Sequence, residues 1–143
     1  MTAKQLSIFL ENRSGRLHEV TEVLGQAGIN IRALSLADTS DFGILRLIVD
    51  KPDEAYRKLR DAGFTVRETD VLAVEVSDQP GGLARVLEIF KDGGINVEYM
   101  YAFVEKSGEN AVVIFRTEDI KRSSELLQAH GVPQIKGEKL YKM

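Results

Sequence analysis

The sequence predicts an α+β fold: two tandem ferredoxin-like βαββαβ units whose antiparallel sheets pack side by side, with the helices on one face. Three observations predict it. The N-terminal half is written twice, each copy reads strand, helix, strand, strand, helix, strand, and one copy alone is too short to bury a sizeable core. A shift of 66 residues (81 − 15) lays Gly15-Arg16-Leu17 on Gly81-Gly82-Leu83 and Gly28-Ile29-Asn30 on Gly94-Ile95-Asn96. From Leu6 to Asn30 this gapless shift gives eight identities in 25 aligned positions, where chance matching gives about one or two. A repeat of this length is one structural unit used twice. The expected units are residues 1–69 and 70–143, with so short a link at Thr69-Asp70 that they stay side by side.

The elements follow in order. Gln5 to Glu11 alternates Leu6, Ile8 and Leu10 against Ser7 and Phe9, the pattern of a half-buried strand. Gly15 to Ala27 reads as a helix with Leu17, Val20, Leu24 and Ala27 on one stripe. Ser14 is placed to cap its start and Gly28 to end it in the left-handed conformation. Strands are expected at Asn30 to Asp38 and Ile44 to Val49, joined by a turn at Thr39-Ser40-Asp41. Pro52 opens a second helix that Gly63 ends, and Phe64 to Glu68 is a short strand. The second copy repeats the order: strand Val71 to Val76, helix Gly81 to Asp92, strands Asn96 to Val104 and Ala111 to Arg116, helix Glu118 to Ala129, and a last strand from Gln134 to Leu140.

Composition bounds the function. With 29% charged and 43% hydrophobic residues, the whole chain can be globular. No apolar run is long enough to span a membrane and no signal-peptide core opens the chain, so a cytoplasmic location is expected. The absence of cysteine excludes disulfides, thiol catalysis and thiolate metal sites. His18 and His130 form no metal-binding motif, no phosphate loop is present and no catalytic triad can be singled out. A non-enzyme without cofactor or metal is expected. In the third strand Ile44, Arg46 and Ile48 oppose Leu45, Leu47 and Val49, and in its counterpart Val112 and Ile114 oppose Val113 and Phe115. One set faces the helices. Ile44, Ile48, Val112 and Ile114 on the other face call for a cover, which predicts a homodimer.

The residues common to both copies gather at two places. The loop Glu11-Asn12-Arg13-Ser14-Gly15-Arg16-Leu17, and its counterpart Ser77-Asp78-Gln79-Pro80-Gly81-Gly82-Leu83, leads into a helix N-terminus. Unpaired N–H groups and the helix dipole favour an anion there. The second element, Gly-Ile-Asn, closes that same helix. The helix separates its own two ends, so each asparagine is expected to meet the loop of another unit. The bland alternative is that the glycines only make turns and caps and the asparagines satisfy nearby backbone. Arg13 suits a ligand carboxylate or is a solvated side chain, and Asp78 suits an ammonium or caps the helix. Tyr99, Tyr101 and Phe103 stand where the first copy has Ala33, Ser35 and Ala37, as core, interface or pocket wall.

The loop, the helix and the Gly-Ile-Asn that follows resemble the ACT domain. Asn12-Arg13-Ser14-Gly15-Arg16-Leu17 with Gly28-Ile29-Asn30-Ile31 matches the pattern, departing at Ser14 where proline is usual. Asp78-Gln79-Pro80-Gly81-Gly82-Leu83 with Gly94-Ile95-Asn96-Val97 matches it more closely. The resemblance spans nearly the whole chain as two tandem copies. It implies a regulatory module that binds an amino acid where two domains meet, and that modulates a separate metabolic enzyme. It further implies that Asn12 and Asn30, and Asp78 and Asn96, hold the ligand's polar backbone. The residues implied to line the two sites are Asn12, Arg13, Ser14, Gly15, Leu17, Asn30 and Ile31, and Asp78, Gln79, Pro80, Gly81, Leu83, Asn96 and Val97. The alternative is a regulatory subunit held permanently by a catalytic partner, similar to the small subunit of acetolactate synthase. An RNA-binding sheet shares the chain order, but Gly43 to Val49 carries no stacking aromatic and the net charge is −3. No nucleic acid or membrane partner is expected.

Overall fold

A computed structural model of the chain describes residues 2–38, 41–103 and 106–143. Two compact units divide the chain: one is Lys4–Thr69, the other Asp70–Met143 joined by the residues up to Ala3. The first unit holds β1 (Ala3–Glu11), α1 (Arg16–Gln26), β2 (Ile31–Asp38), β3 (Phe42–Val49), α2 (Pro52–Asp61) and the start of β4 (Thr65–Ser77). Its strands lie in the order β2-β3-β1-β4. The antiparallel registers Leu6↔Leu47, Ile8↔Leu45 and Leu36↔Leu45 put the expected aliphatic set on one face. There Leu6, Ile8, Leu10, Leu45, Leu47 and Val49 pack with Val20 and Leu24 of α1 and Ala55 and Leu59 of α2.

The second unit continues along β4 and adds α3 (Gly82–Asp92), β5 (Val97–Ala102), β6 (Asn110–Thr117), α4 (Ile120–Ala129), β7 (Gln134–Ile135) and α5 (Gly137–Leu140). Here the order is β7-β4-β6-β5. Leu72, Val74 and Phe115 of the sheet meet Val86 and Phe90 of α3 and Leu127 of α4. Phe90 and Phe115 pack edge to face, 5.4 Å between ring centroids. Each unit is thus an α+β ferredoxin-like unit with the element order read from the sequence.

All four long helices end in the same way. After α1, α2, α3 and α4 the chain passes through Gly28, Gly63, Gly94 and Gly131 at φ of 71, 92, 69 and 70°. The next amide (Ile29, Phe64, Ile95, Val132) then donates to the carbonyl five residues back, at 2.8–3.1 Å. Only glycine adopts this left-handed corner without penalty.

Four expectations are corrected. Ser14 does not cap α1, because Gly15 at φ 90° is the capping residue and no side chain bonds into the first turn. The expected break at Thr69-Asp70 is absent: β4 is a single strand from Thr65 to Ser77, and no glycine or proline in that stretch interrupts it. The last strand stops at Ile135, and a helical turn follows. In an extended strand Leu140 would share a face with Gln134, Lys136 and Glu138, whereas the turn buries it completely. Finally, Ile48, Val112 and Ile114 need no second chain to cover them, since each is at most 1% exposed in the single chain. Thr39, Ser40 and Val104, assigned above to a turn and a strand end, lie outside the described residues.

Candidate functional site

Both loops expected to bind a ligand have the same backbone design. In the first, the Asn12 amide donates to the Asp41 carbonyl at 2.8 Å, which ties the loop to the start of β3. Gly15 then turns into α1. In the second, the Gly82 amide donates to the Gln79 carbonyl at 3.0 Å, and Gly81 at φ 84° turns into α3. Neither helix has a side-chain cap. The first-turn amides of Leu17 and His18, and of Leu83 and Ala84, are therefore left for another acceptor among the described residues. The second loop is the tighter. A Cβ on Gly82 would meet the Ser77 carbonyl oxygen at 1.9 Å, so the chain can only pass there as glycine.

Their charges are arranged differently. Arg13 pairs with Glu11 at 3.0 Å. Arg16, not singled out from the sequence, pairs with Glu19 at 2.6 Å and lies over the Phe64 ring at 4.7 Å. Asp78 makes an ion pair with Lys106 of the β5–β6 connection instead of capping α3. Leu17 is exposed while Leu83 packs against its core. Ser14, Gln79 and Pro80 are exposed at the loop surface. Ile31 and Val97 pack against their own cores and so act as supports for the asparagines beside them.

Those asparagines form the clearest feature of each unit. The Asn30 amide donates to the Asp50 carboxylate at 2.9 Å, and the Asn30 carbonyl accepts from the Asp50 amide at 3.1 Å. The Asn96 amide and carbonyl make the same two bonds to Glu118, at 3.1 and 3.2 Å. With the backbone held, the carboxamides of Asn30 and Asn96 are exposed and make no hydrogen bond among the described residues. They do not satisfy nearby backbone. Within a unit the asparagine does not meet the loop, because the 11 residues of α1 put about 16 Å between them.

Other groups are less suggestive. His18 pairs with Glu22 at 2.9 Å, and the His130 ring lies 2.9 Å from the Leu126 carbonyl; both are exposed. No group of three metal-ligating side chains occurs among the described residues. Phe9 and Phe42 stack at 5.2 Å on the first unit's sheet and are 50% and 44% exposed. The sequence reading missed this pair because β3 starts two residues earlier than expected. No helix of the described residues is long and apolar enough to cross a membrane.

Comparison with known proteins agrees with this geometry. A family model described as an ACT domain pair matches residues 1–143. No curated protein matches the chain. The crystal structure of protein BT0572 from Bacteroides thetaiotaomicron is similar, with 46% identity and a TM-score of 0.94 over 100% of this chain and 98% of that one. The ligand-free regulatory subunit of aspartate kinase from Thermus thermophilus has the same fold at 16% identity, with a TM-score of 0.63 over 88% and 91% of the two chains. So does the regulatory subunit of aspartate kinase from Thermus flavus, at 15% identity and a TM-score of 0.60 over 88% and 90%.

Proposed function

The chain belongs to the ACT domain pair family, and from that premise we propose that it is a regulatory protein that senses a small amino acid and modulates a separate metabolic enzyme. The observation that carries this reading is the repeated asparagine. In both units an acidic residue just after the facing strand holds the asparagine backbone, while the carboxamide has no hydrogen bond among the described residues. A carboxamide fixed in this way both donates and accepts, so it can meet a carboxylate or an ammonium. The uncapped helix starts at Leu17 and Leu83 supply N–H donors for a carboxylate. The ligand is held by the loop of Asn12 to Leu17 or Asp78 to Leu83, completed by the asparagine of another ACT unit.

Thermal shift with each of the twenty common amino acids tests this. A ligand at about 100 times its Kd adds roughly 2.7 kcal/mol of stability. If none of the twenty raises the unfolding temperature, the reading fails.

The proposed assembly is a homodimer. Its support is the apolar surface of the outer strands, where Leu34 and Leu36 are each 50% exposed and Met100 is 41% exposed. The same surface would suit a catalytic partner that holds this chain as a subunit. Crosslinking in the native cell separates the two, since only the second yields a stable heteromer.

A further inference from the structure

A bulge in β2 carries an arginine that nothing among the described residues engages. Ile31 pairs with Val49 and Ala33 with Ile48, so Arg32 is the extra residue of the bulge. Its Nε is shut off from solvent without a hydrogen-bond partner, while the residue as a whole stays partly exposed. Among the described residues Arg32 has neither a hydrogen bond nor an ion pair. A desolvated guanidinium nitrogen without an acceptor is costly, and bulges re-aim side chains beside functional sites.

The second unit supplies an internal comparison. It has the same bulge, between Val97↔Thr117 and Tyr99↔Arg116, and the extra residue there is Glu98. Glu98 is answered within the unit: its Oε1 lies 3.4 Å from Nε of Arg116. The residue of β3 that follows the same register in the first unit is Ile48, fully buried and uncharged. One backbone device therefore presents a neutralised pair in one unit and an unanswered cation in the other. Arg32 stands two residues beyond Asn30, whose carboxamide is also unengaged, and β2 is the terminal strand of its unit's sheet.

We infer that Arg32 and Asn30 form a carboxylate-recognising pair on the bulged edge of β2, and that the first unit takes an acidic amino acid. The inference rests on the reading of the chain as an amino-acid sensor and names the ligand class. The guanidinium fork receives one carboxylate through two parallel hydrogen bonds, to which the Asn30 amide group adds a third donor. The uncapped start of an α1-type helix receives the other.

Calorimetry with aspartate, glutamate, asparagine and glutamine tests the inference on the intact chain and on two variants. The expected result is that the parent binds an acid about ten- to a hundredfold tighter than its amide, the range for a hydrogen-bonded charged pair. Arg32→Gln should lose that preference, and a circular dichroism spectrum and unfolding midpoint like the parent's show that the variant is folded. Arg32→Lys should keep part of the preference, since the charge remains and the fork is lost. The inference is overturned if the parent binds acid and amide equally, or if Arg32→Gln keeps the full preference. A neutral amino acid that binds parent and Arg32→Gln alike would leave the sensor reading standing and remove this one. No binding by any of the twenty amino acids would remove both.

Discussion

Asp50 grips the backbone of Asn30 from both sides, with its carboxylate on the amide at 2.9 Å and its own amide on the carbonyl at 3.1 Å. Glu118 does the same for Asn96 although its side chain is one carbon longer. Fold and proposed function thus draw on different atoms of the same residue. The backbone atoms join two strand ends, while the carboxamide contributes nothing to the fold.

Asn30→Ala and Asn96→Ala are therefore expected to leave stability within about 0.5 kcal/mol of the parent, the range for surface substitutions. At a working site each should weaken ligand binding about ten- to a hundredfold, the effect of losing a hydrogen bond to a charged group. Calorimetry checks the binding and urea denaturation the stability. Ligand affinity in the double mutant equal to that of the parent would show that the asparagines have no binding role.

Asp50→Ala should behave in the opposite way. It removes an acceptor from a partly exposed amide, for an expected loss of about 1 kcal/mol. Its effect on binding should be secondary, through a loosened Asn30. A lowered unfolding midpoint in urea at unchanged slope is the expected signature.

Two glycines predict opposite signs. Gly82→Ala places a methyl group 1.9 Å from the Ser77 carbonyl oxygen, and the resulting backbone shift should cost about 3 kcal/mol. Gly25→Ala adds a methyl with nothing within 4 Å, inside α1. Replacing a helical glycine by alanine should stabilise the chain by about 0.5–1 kcal/mol. Differential scanning calorimetry on both variants reads the two signs.

Phe90→Ala tests the second core. Phe90 is 1% exposed and meets Phe115 edge to face. Truncating it should cost about 3–5 kcal/mol from lost burial and the cavity left behind. Urea denaturation should show the loss directly; a change under 1 kcal/mol would mean that the surrounding side chains collapse into the space.

Much of the fold was legible because its signals are local. Gly28, Gly63, Gly94 and Gly131 each follow an amphipathic stripe, and glycine is what a left-handed helix end requires. The Asn30 and Asn96 positions were legible because the chain repeats them. What was not legible depends on long-range packing. Ser14 has the chemistry of a cap, but the left-handed turn at Gly15 leaves it outside the capping position. Nothing in Ile31-Arg32-Ala33 marks a bulge, since β3 forms the register against which the extra residue is counted. The burial of Ile48, Val112 and Ile114 likewise depends on parts of the chain far away in sequence.

With Ile48, Val112 and Ile114 already covered, the apolar groups left for a second copy include the partly exposed Ile44, the Phe9–Phe42 pair and two leucines of the terminal strand β2. Leu34 and Leu36 lie two residues apart on β2, each half exposed. Burying the remaining half of each contributes about 1 kcal/mol per leucine, so the pair contributes about 2 kcal/mol in each copy. Leu34→Lys with Leu36→Lys removes that gain and sets like charges against each other across a two-fold contact. The parent is expected to scatter light as a dimer and the double variant as a monomer of 15.9 kDa. Both changes sit on an exposed strand edge, so the variant should keep the parent's circular dichroism. If the variant remains dimeric, the contact does not run through β2; if the parent is monomeric with and without its ligand, the homodimer is ruled out.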